Sequence, residues 1–326
     1  MKVLILGGGG VFAIHYAKFL LQQNTVESVT SIGRNPTAAP PFSLNVGVGD
    51  SRYSYHQVHI TFEQERLKEI ILSIKPNFIV NFAALAYATS WDKPHHYYNT
   101  NVTAVAQICD YLQHVDWLDR FIQIGTSELY GPVTIPASES ATLFPTSPYA
   151  VSKLAADMHL ETMFRVRNFP MNILRPSNAY GPGQLLYRIL PKAVYSVVNN
   201  LKVPLEGGGI AKKSYMHATD IARALWLIMH KAPLGEIYNV GPKNPVSIRE
   251  LVELVASSAN IDPKDFIEIV PGRIGEDSQY WLDSSKIMNL GYTESIDLTS
   301  GVIDMLEWAK KYKSHLPKPN KFILRA

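Results

Sequence analysis

The sequence predicts a doubly wound α/β fold, with a parallel sheet and a smaller C-terminal lobe. Three observations carry the prediction: apolar strand-like runs that do not alternate, amphipathic helical stretches between them, and four glycines directly behind the first apolar run. Strands covered on both faces read as continuous apolar runs, and the covering helices are the crossovers between parallel neighbours. The first strand is expected at Val3 to Leu6 and leads through Gly7 to Gly10 into a helix over Val11 to Gln23. Ser28 to Ile32 reads as the second strand and Glu63 to Ile74 as the next helix. Phe78 to Phe82 follows as a strand and Pro94 to Gln113 as a helix. Phe121 to Ile124 is then a strand, and Pro148 to Val166 a helix that starts with proline in its first turn behind Ser147. In this Rossmann pattern the ligand lies beyond the carboxyl ends of the strands, where Gly7 to Gly10, Ala83-Ala84 and Thr126 to Glu128 emerge.

After Arg175 the texture changes to shorter elements, punctuated by Pro176, Gly181, Pro182, Gly183 and Gly207 to Gly209. Residues 1–175 are therefore expected to form the dinucleotide-binding domain and 176–326 mainly the substrate-binding lobe. Residues 210–232 are the exception, since His217 to Lys231 reads as a helix returning to the first sheet. Lys310 to Ala326, polar and proline-bearing, is expected to be loosely held.

Composition excludes several classes. With 46% hydrophobic and 18% charged residues, the 326-residue chain fits a soluble globular enzyme. Its 31 basic and 28 acidic residues are spread evenly, without the basic tract of a nucleic-acid or membrane surface. Cys109 is the only cysteine, so no internal disulfide or multi-cysteine metal site forms, and a reducing, cytoplasmic compartment is expected. The opening Met-Lys-Val-Leu-Ile-Leu is too short for a signal peptide, and no apolar run is long enough to span a bilayer. His56, His59, His95, His96 and His217 lack ligand spacing, and no metal is expected.

The glycine run follows a strand and opens a helix, the context in which backbone amides meet a pyrophosphate at a helix N-terminus; Ala13 is small enough to keep helix and sheet close. No acidic residue ends the second strand. Arg34 stands there instead, suited either to a 2′-phosphate, which favours NADP over NAD, or to an ordinary exposed loop. Asp50 serves equally as an adenine contact or as a turn residue. Tyr149 and Lys153, four apart on one helix face, put an ammonium beside a phenol and would lower the phenol's pKa. Thr126 offers a hydroxyl to the same substrate oxygen. Glu128 is either a second proton-transfer group or a helix cap.

These pieces resemble the extended short-chain dehydrogenase/reductase family in its nucleotide-sugar 4,6-dehydratase/epimerase branch, from residue 1 to about residue 310. The similarity is carried by Gly7 to Ala13, Asn81-Phe82-Ala83-Ala84, Thr126 to Gly131, Tyr149/Lys153 and Arg175 to Pro182. Thr-Ser-Glu-Leu-Tyr-Gly followed by Ser-Pro-Tyr-Ala-Val-Ser-Lys is most similar to the GDP-mannose 4,6-dehydratases. The resemblance implies a cytoplasmic homodimer, paired through Pro94 to Gln113 and Pro148 to Val166, that acts on a nucleotide-diphosphate sugar. It implies cofactor contacts at Gly7, Gly9, Gly10, Val11, Phe12, Arg34, Asp50, Ser51, Ala83, Ala84, Tyr149, Lys153 and Pro176. Catalysis would fall to Thr126, Ser127, Glu128, Tyr149 and Lys153. Substrate would meet Thr126, Asn178, Arg188, Lys213 and Arg273, with Lys213 where relatives often place an arginine. The alternatives within the family are a 4-epimerase, a 4-keto-6-deoxy-sugar reductase and a decarboxylase; outside catalysis, the alternative is a redox-sensing NADP-binding protein.

Overall fold

The computed structural model describes residues 1–38, 40–86, 90–271 and 279–318. The four apolar runs become β1 (Lys2–Leu6), β2 (Ser28–Gly33), β4 (Phe78–Asn81) and β5 (Arg120–Ile124), joined by β3 (Tyr53–Gln57) and β6 (Met171–Pro176). With Ile237–Val240 they build one seven-stranded sheet in the order Ile237–Val240, β6, β5, β4, β1, β2, β3. Every pairing is parallel. Strand order reverses between β1 and β4, which opens a crevice at their carboxyl ends. Alternation along β1 divides two cores: Val3 and Ile5 face one apolar cluster, Leu4 and Leu6 the other.

The first half carries α1 (Val11–Leu21), α2 (Gln64–Ile74), α3 (Pro94–Tyr98), α4 (Ala104–Leu112) and α5 (Pro148–Arg167). The helix expected over Pro94 to Gln113 is interrupted by a π-helical turn, Asn99–Thr103. That turn directs the buried Asn101 inward, where its Oδ1 accepts from the Leu85 amide (2.8 Å) and its Nδ2 donates to the Leu85 carbonyl (3.0 Å) and to Ser152 Oγ (2.9 Å).

The second half adds β7 (Asn178–Tyr180), α6 (Ile189–Val198), β8 (Val203–Glu206), β9 (Lys212–Lys213), β10 (Tyr215–His217), α7 (Ala218–Lys231) and β11 (Ile237–Val240). Then come β12 (Val246–Ser247), α8 (Ile248–Ser258), α9 (Pro263–Phe266), β13 (Ile267–Val270), α10 (Ser285–Asn289) and α11 (Leu298–Lys311). Ile221, Leu225 and Ile228 of α7 share a buried cluster with Ile14, Ala17 and Leu20 of α1. Each of the leucines and isoleucines among them contributes about 1.5–3 kcal/mol over remaining exposed. A separate core joins α6, α8 and α11 through Leu190, Val194, Leu251, Val255, Val302 and Leu306.

Three strands of the central sheet escape sequence reading. The edge strand β3, Tyr-Ser-Tyr-His-Gln, is polar and half exposed, as an edge permits. The strand β6 buries Asn172 and Arg175, which breaks its apolar run, and β11 buries Asn239. The polar tail expected from Lys310 begins inside α11, while residues 319–326 lie outside those described. No helix among the described residues is long and apolar enough to cross a membrane.

Candidate active site

At the end of β1 the chain turns at Gly7 with φ +78°, a left-handed conformation. A Cβ on Gly7 would lie 2.5 Å from the Ala83 nitrogen and 2.7 Å from its Cα, so the β1–α1 turn sits directly against the exit of β4. The turn is closed by the Gly8 amide on the Ile32 carbonyl (2.7 Å) and the Gly10 amide on the Gly7 carbonyl (2.9 Å). Gly10 is the N-cap of α1, which has no side-chain cap and no acidic residue in its first turn. The amides of Val11 and Phe12 therefore begin an uncapped helix whose partial positive charge suits an anion, and Gly9 and Gly10 leave the approach open. This cradle fits a pyrophosphate. Asn81 Oδ1 accepts from the Ala83 amide (3.0 Å), and Asn81 Nδ2 donates to Gln123 Oε1 (2.8 Å), so a buried polar pair fixes the loop that carries Ala83 and Ala84. Arg34 lies exposed at the same edge, its carbonyl accepting from Gln57 Nε2 (3.2 Å), with its charge felt by His59.

The exit of β5 gathers hydroxyl, carboxyl and phenol groups. Thr126 caps the tight turn Ser127–Tyr130, its Oγ1 accepting from the Glu128 amide at 3.3 Å. Ser147 caps α5 through the Ala150 amide at 3.1 Å, which sets Tyr149 in the first turn and Lys153 one turn on. The Thr126 hydroxyl is hydrogen-bonded to the Tyr149 phenol, and Glu128 is the strongest charged influence on that phenol. Ser152 Oγ donates to the Tyr149 carbonyl (2.7 Å) and accepts from Asn101, so the π-helical turn braces the helix end that presents the tyrosine. Thr126, Glu128 and Tyr149 thus form one cluster, with Ser127 buried beside it.

The expected lowering of the Tyr149 pKa is corrected. Burial, and then the Glu128 carboxylate, push the phenol well above its ordinary value, with the Thr126 hydrogen bond and the Arg188 charge opposing them. The Lys153 ammonium is occupied elsewhere, donating to the Ile124 carbonyl at 2.6 Å. Burial lowers Lys153 to about 8, against the pull of Asp157.

Arg188 adds a cation to the cluster. Its guanidinium lies 5.1 Å from the centre of the Tyr187 ring, donates to the Ala86 carbonyl (3.0 Å), and is within electrostatic reach of both Tyr149 and Glu128. Asn178 stands in β7, where its amide donates to the Ser214 carbonyl (3.0 Å), just behind Pro176 at the end of β6. Lys213, on β9, is buried with Nζ 4.1 Å from the centre of the Tyr280 ring. Arg273 lies outside the described residues.

Asp50 and Ser51 are corrected as well. The parallel register sets Tyr53 beside Val29 and Gln57 beside Gly33, so both residues precede the amino end of β3. The five residues of β3, spanning about 17 Å, separate them from the edge where the glycine turn emerges. The Asp50 carboxylate is instead held by Arg52, whose Nε and terminal nitrogen approach to 3.0 and 2.7 Å. The residues that do leave β3 at the correct edge are Val58, whose amide donates to the Gly33 carbonyl (2.9 Å), and His59. Sequence reading also passed over Asn101, Ser152 and Gln123. The signal for Gln123 was present, as a lone amide inside the apolar run of β5.

Residues 3–241 match the family described as the NAD dependent epimerase/dehydratase family. Human dTDP-D-glucose 4,6-dehydratase is 26% identical over 322 residues, which cover 95% of this chain and 90% of that protein. A trifunctional UDP-glucose 4,6-dehydratase/3,5-epimerase/reductase of Arabidopsis thaliana is 24% identical over 312 residues, 94% of this chain but 47% of that protein, so the chain spans about half the length of that relative. Among solved structures, a dTDP-glucose 4,6-dehydratase of Streptomyces venezuelae with NAD bound superposes with a TM-score of 0.89 at 25% identity, covering 97% of this chain and 99% of that one.

Proposed function

Because the chain belongs to the NAD dependent epimerase/dehydratase family, we propose that it is a nucleotide-sugar 4,6-dehydratase, converting an NDP-hexose to the 4-keto-6-deoxy sugar. The observation that carries the proposal is Glu128, a carboxylate close enough to Tyr149 to be the strongest charge acting on it. An epimerase needs one group to move the 4-hydroxyl proton. A dehydratase needs a second acid or base for C5 and C6. The oxidised nicotinamide, when bound, would supply the hydride acceptor and donor of the cycle and positive charge beside the phenol. Tyr149 takes the proton of the 4-hydroxyl, and Thr126 holds the same oxygen. Once C4 is a ketone the C5 proton is acidic, and Glu128 removes it. Ser127 or Glu128 assists departure of the C6 hydroxyl as water, and C5 takes up a solvent-exchanged proton, the hydrogen that deuterated water would label, as hydride reaches C6. Lys153 contacts the nicotinamide ribose, and Arg188, Asn178, Lys213 and Arg273 serve the nucleotide diphosphate sugar.

The named relatives act on dTDP- and UDP-glucose, whereas the Thr-Ser-Glu string resembles the GDP-mannose enzymes, so all three substrates belong in the first assay. In deuterated water, loss of one water with gain of one deuterium in the product supports dehydration. An unchanged formula with altered chromatography would replace it with the 4-epimerase. Glu128→Gln separates the two further: dehydration should fall about 10²–10⁴-fold, as expected for loss of a general acid–base group, whereas an epimerase would lose little.

NAD is the dinucleotide named with the solved relative, and the position of Arg34 supports use of NADP as well. Arg34→Ala is expected to weaken NADP at least tenfold and NAD less than twofold, because only NADP carries a 2′-phosphate for the guanidinium. Equal loss for both in a fluorescence titration would remove Arg34 from that role. The homodimer is proposed on the same family basis; α5 turns Val151, Met158 and Val166 to solvent.

A further inference from the structure

We propose that His15 is a positioning residue: its imidazole ties the segment between β7 and α6 to α1, so that a dinucleotide bound at the head of α1 steadies the segment that carries Arg188. The assignment rests on the dinucleotide and substrate roles proposed above. His15 lies on α1 one turn behind Val11, whose amide opens the helix. Its Nε2 stands 2.9 Å from the Pro182 carbonyl oxygen. A carbonyl only accepts, so Nε2 carries the proton and donates. Burial draws His15 down to about 4, against the raising effect of that bond, so the ring is uncharged at neutral pH.

The fit around the imidazole is close. A Cβ on Gly181 would stand 3.1 Å from His15 Nε2 and 3.2 Å from the Ala218 Cβ, so an added methyl would have to push the ring or α7 aside. On its other side the His15 ring meets His217 edge to face, with centres 5.8 Å apart. His217 is itself held: Nδ1 accepts from the Thr219 amide (3.3 Å), Nε2 stands 3.3 Å from Asp304 Oδ2 of α11, and the ring packs on Tyr180 at 5.3 Å. The segment that His15 meets is braced from within. The Gln184 amide donates to the Gly181 carbonyl (3.2 Å), Gln184 Nε2 to the Ala179 carbonyl (3.1 Å), and the Arg188 amide to the Leu185 carbonyl (3.3 Å). Asn178 begins β7 just before this segment and Arg188 is the N-cap of α6 at its far end. The two residues proposed to serve the substrate are therefore joined through the point where His15 holds Pro182. A histidine bonded to a carbonyl is ordinary in a folded chain. This one connects the helix whose first amides are proposed to meet pyrophosphate with the segment proposed to meet the nucleotide sugar. Coupled sites typically change each other's affinity by about 5–150-fold.

Hydrogen exchange of the stretch 181–188 reads the tether directly. Saturating NAD, with NADP run in parallel, should slow exchange there by about fivefold or more in the parent. The response should vanish in His15→Leu, which loses the donor, and persist in His15→Gln, whose amide nitrogen reaches the same carbonyl. A role confined to packing would alter exchange equally with and without dinucleotide, and would not separate Gln from Leu. In steady state, His15→Leu should raise KM for the nucleotide sugar by about tenfold while kcat stays within about threefold. Because exchange needs no sugar, absence of turnover with the response intact counts against the dehydratase proposal and not against this one. No response to either dinucleotide in the parent, a response that survives in His15→Leu, or an unmoved KM overturns the role of His15. If His15→Leu does not fold, His15→Gln against Gly181→Ala decides: a response kept in the first and reduced in the second upholds the tether, and equal responses overturn it.

Discussion

Phenylalanine at Tyr149 is expected to lower turnover by about 10²–10⁴-fold, the usual yield of a positioned proton-transfer group, while dinucleotide affinity stays within about threefold. Only the hydroxyl is lost. The ring remains in the first turn of α5, which Ser147 caps and Ser152 and Asn101 brace through backbone and side chain. The hydroxyl nevertheless sits at the junction of everything reactive: it is bonded to Thr126 and lies under the charges of Glu128 and Arg188. Steady-state turnover and a fluorescence titration with the dinucleotide separate the two effects. A loss under tenfold would assign the 4-hydroxyl proton to another group, with Glu128 the nearest alternative.

The second large effect belongs to Gly7. Two glycines share φ +78°, Gly7 and Gly49, and they differ in what an added Cβ would meet. Beside Gly49 nothing lies within 4 Å, whereas beside Gly7 the Ala83 backbone lies at 2.5 and 2.7 Å and the Phe82 carbonyl carbon at 2.8 Å. Gly49→Ala should therefore cost only the conformational strain of about 1–2 kcal/mol. Gly7→Ala must in addition part β1 from the exit of β4, so thermal unfolding should show at least twice the loss. Dinucleotide affinity should fall by about a hundredfold or more, because the amides proposed to meet the pyrophosphate would move with the turn. Matching behaviour of the two variants would show that the contact with Ala83 yields easily, and that the turn does not depend on it.

The features visible in the sequence were those with local causes. A glycine turn between strand and helix, a tyrosine and a lysine on one helical face, and a hydroxyl and carboxylate just past a strand are all fixed by neighbours a few positions away. The four apolar runs were found for the same reason. Asp50 misled because its position in the chain does not say which end of the sheet it occupies; the register of the polar edge strand β3 decides that, and β3 was not visible. The pair Asp157–Arg175 was hidden similarly. Its partners are 18 residues apart and meet only because β6 lies beside β5 beneath α5. The Tyr149 phenol was expected low from its spacing to Lys153, yet spacing does not reveal that the ammonium is held by the Ile124 carbonyl.

The π-helical turn at Asn99–Thr103 has a bearing on which insertions and deletions this chain tolerates. An α-helix advances about 100° per residue, so deleting one residue within the turn, while restoring regular hydrogen bonds, would rotate Asn101 away from Leu85 and Ser152. Two parts of the site that are remote in sequence, the loop behind β4 and the head of α5, would then lose their common support without any change at either one. A length change of one residue in a helix that touches no reacting atom would act as a catalytic lesion, whereas polar surface positions on the same helix could vary freely.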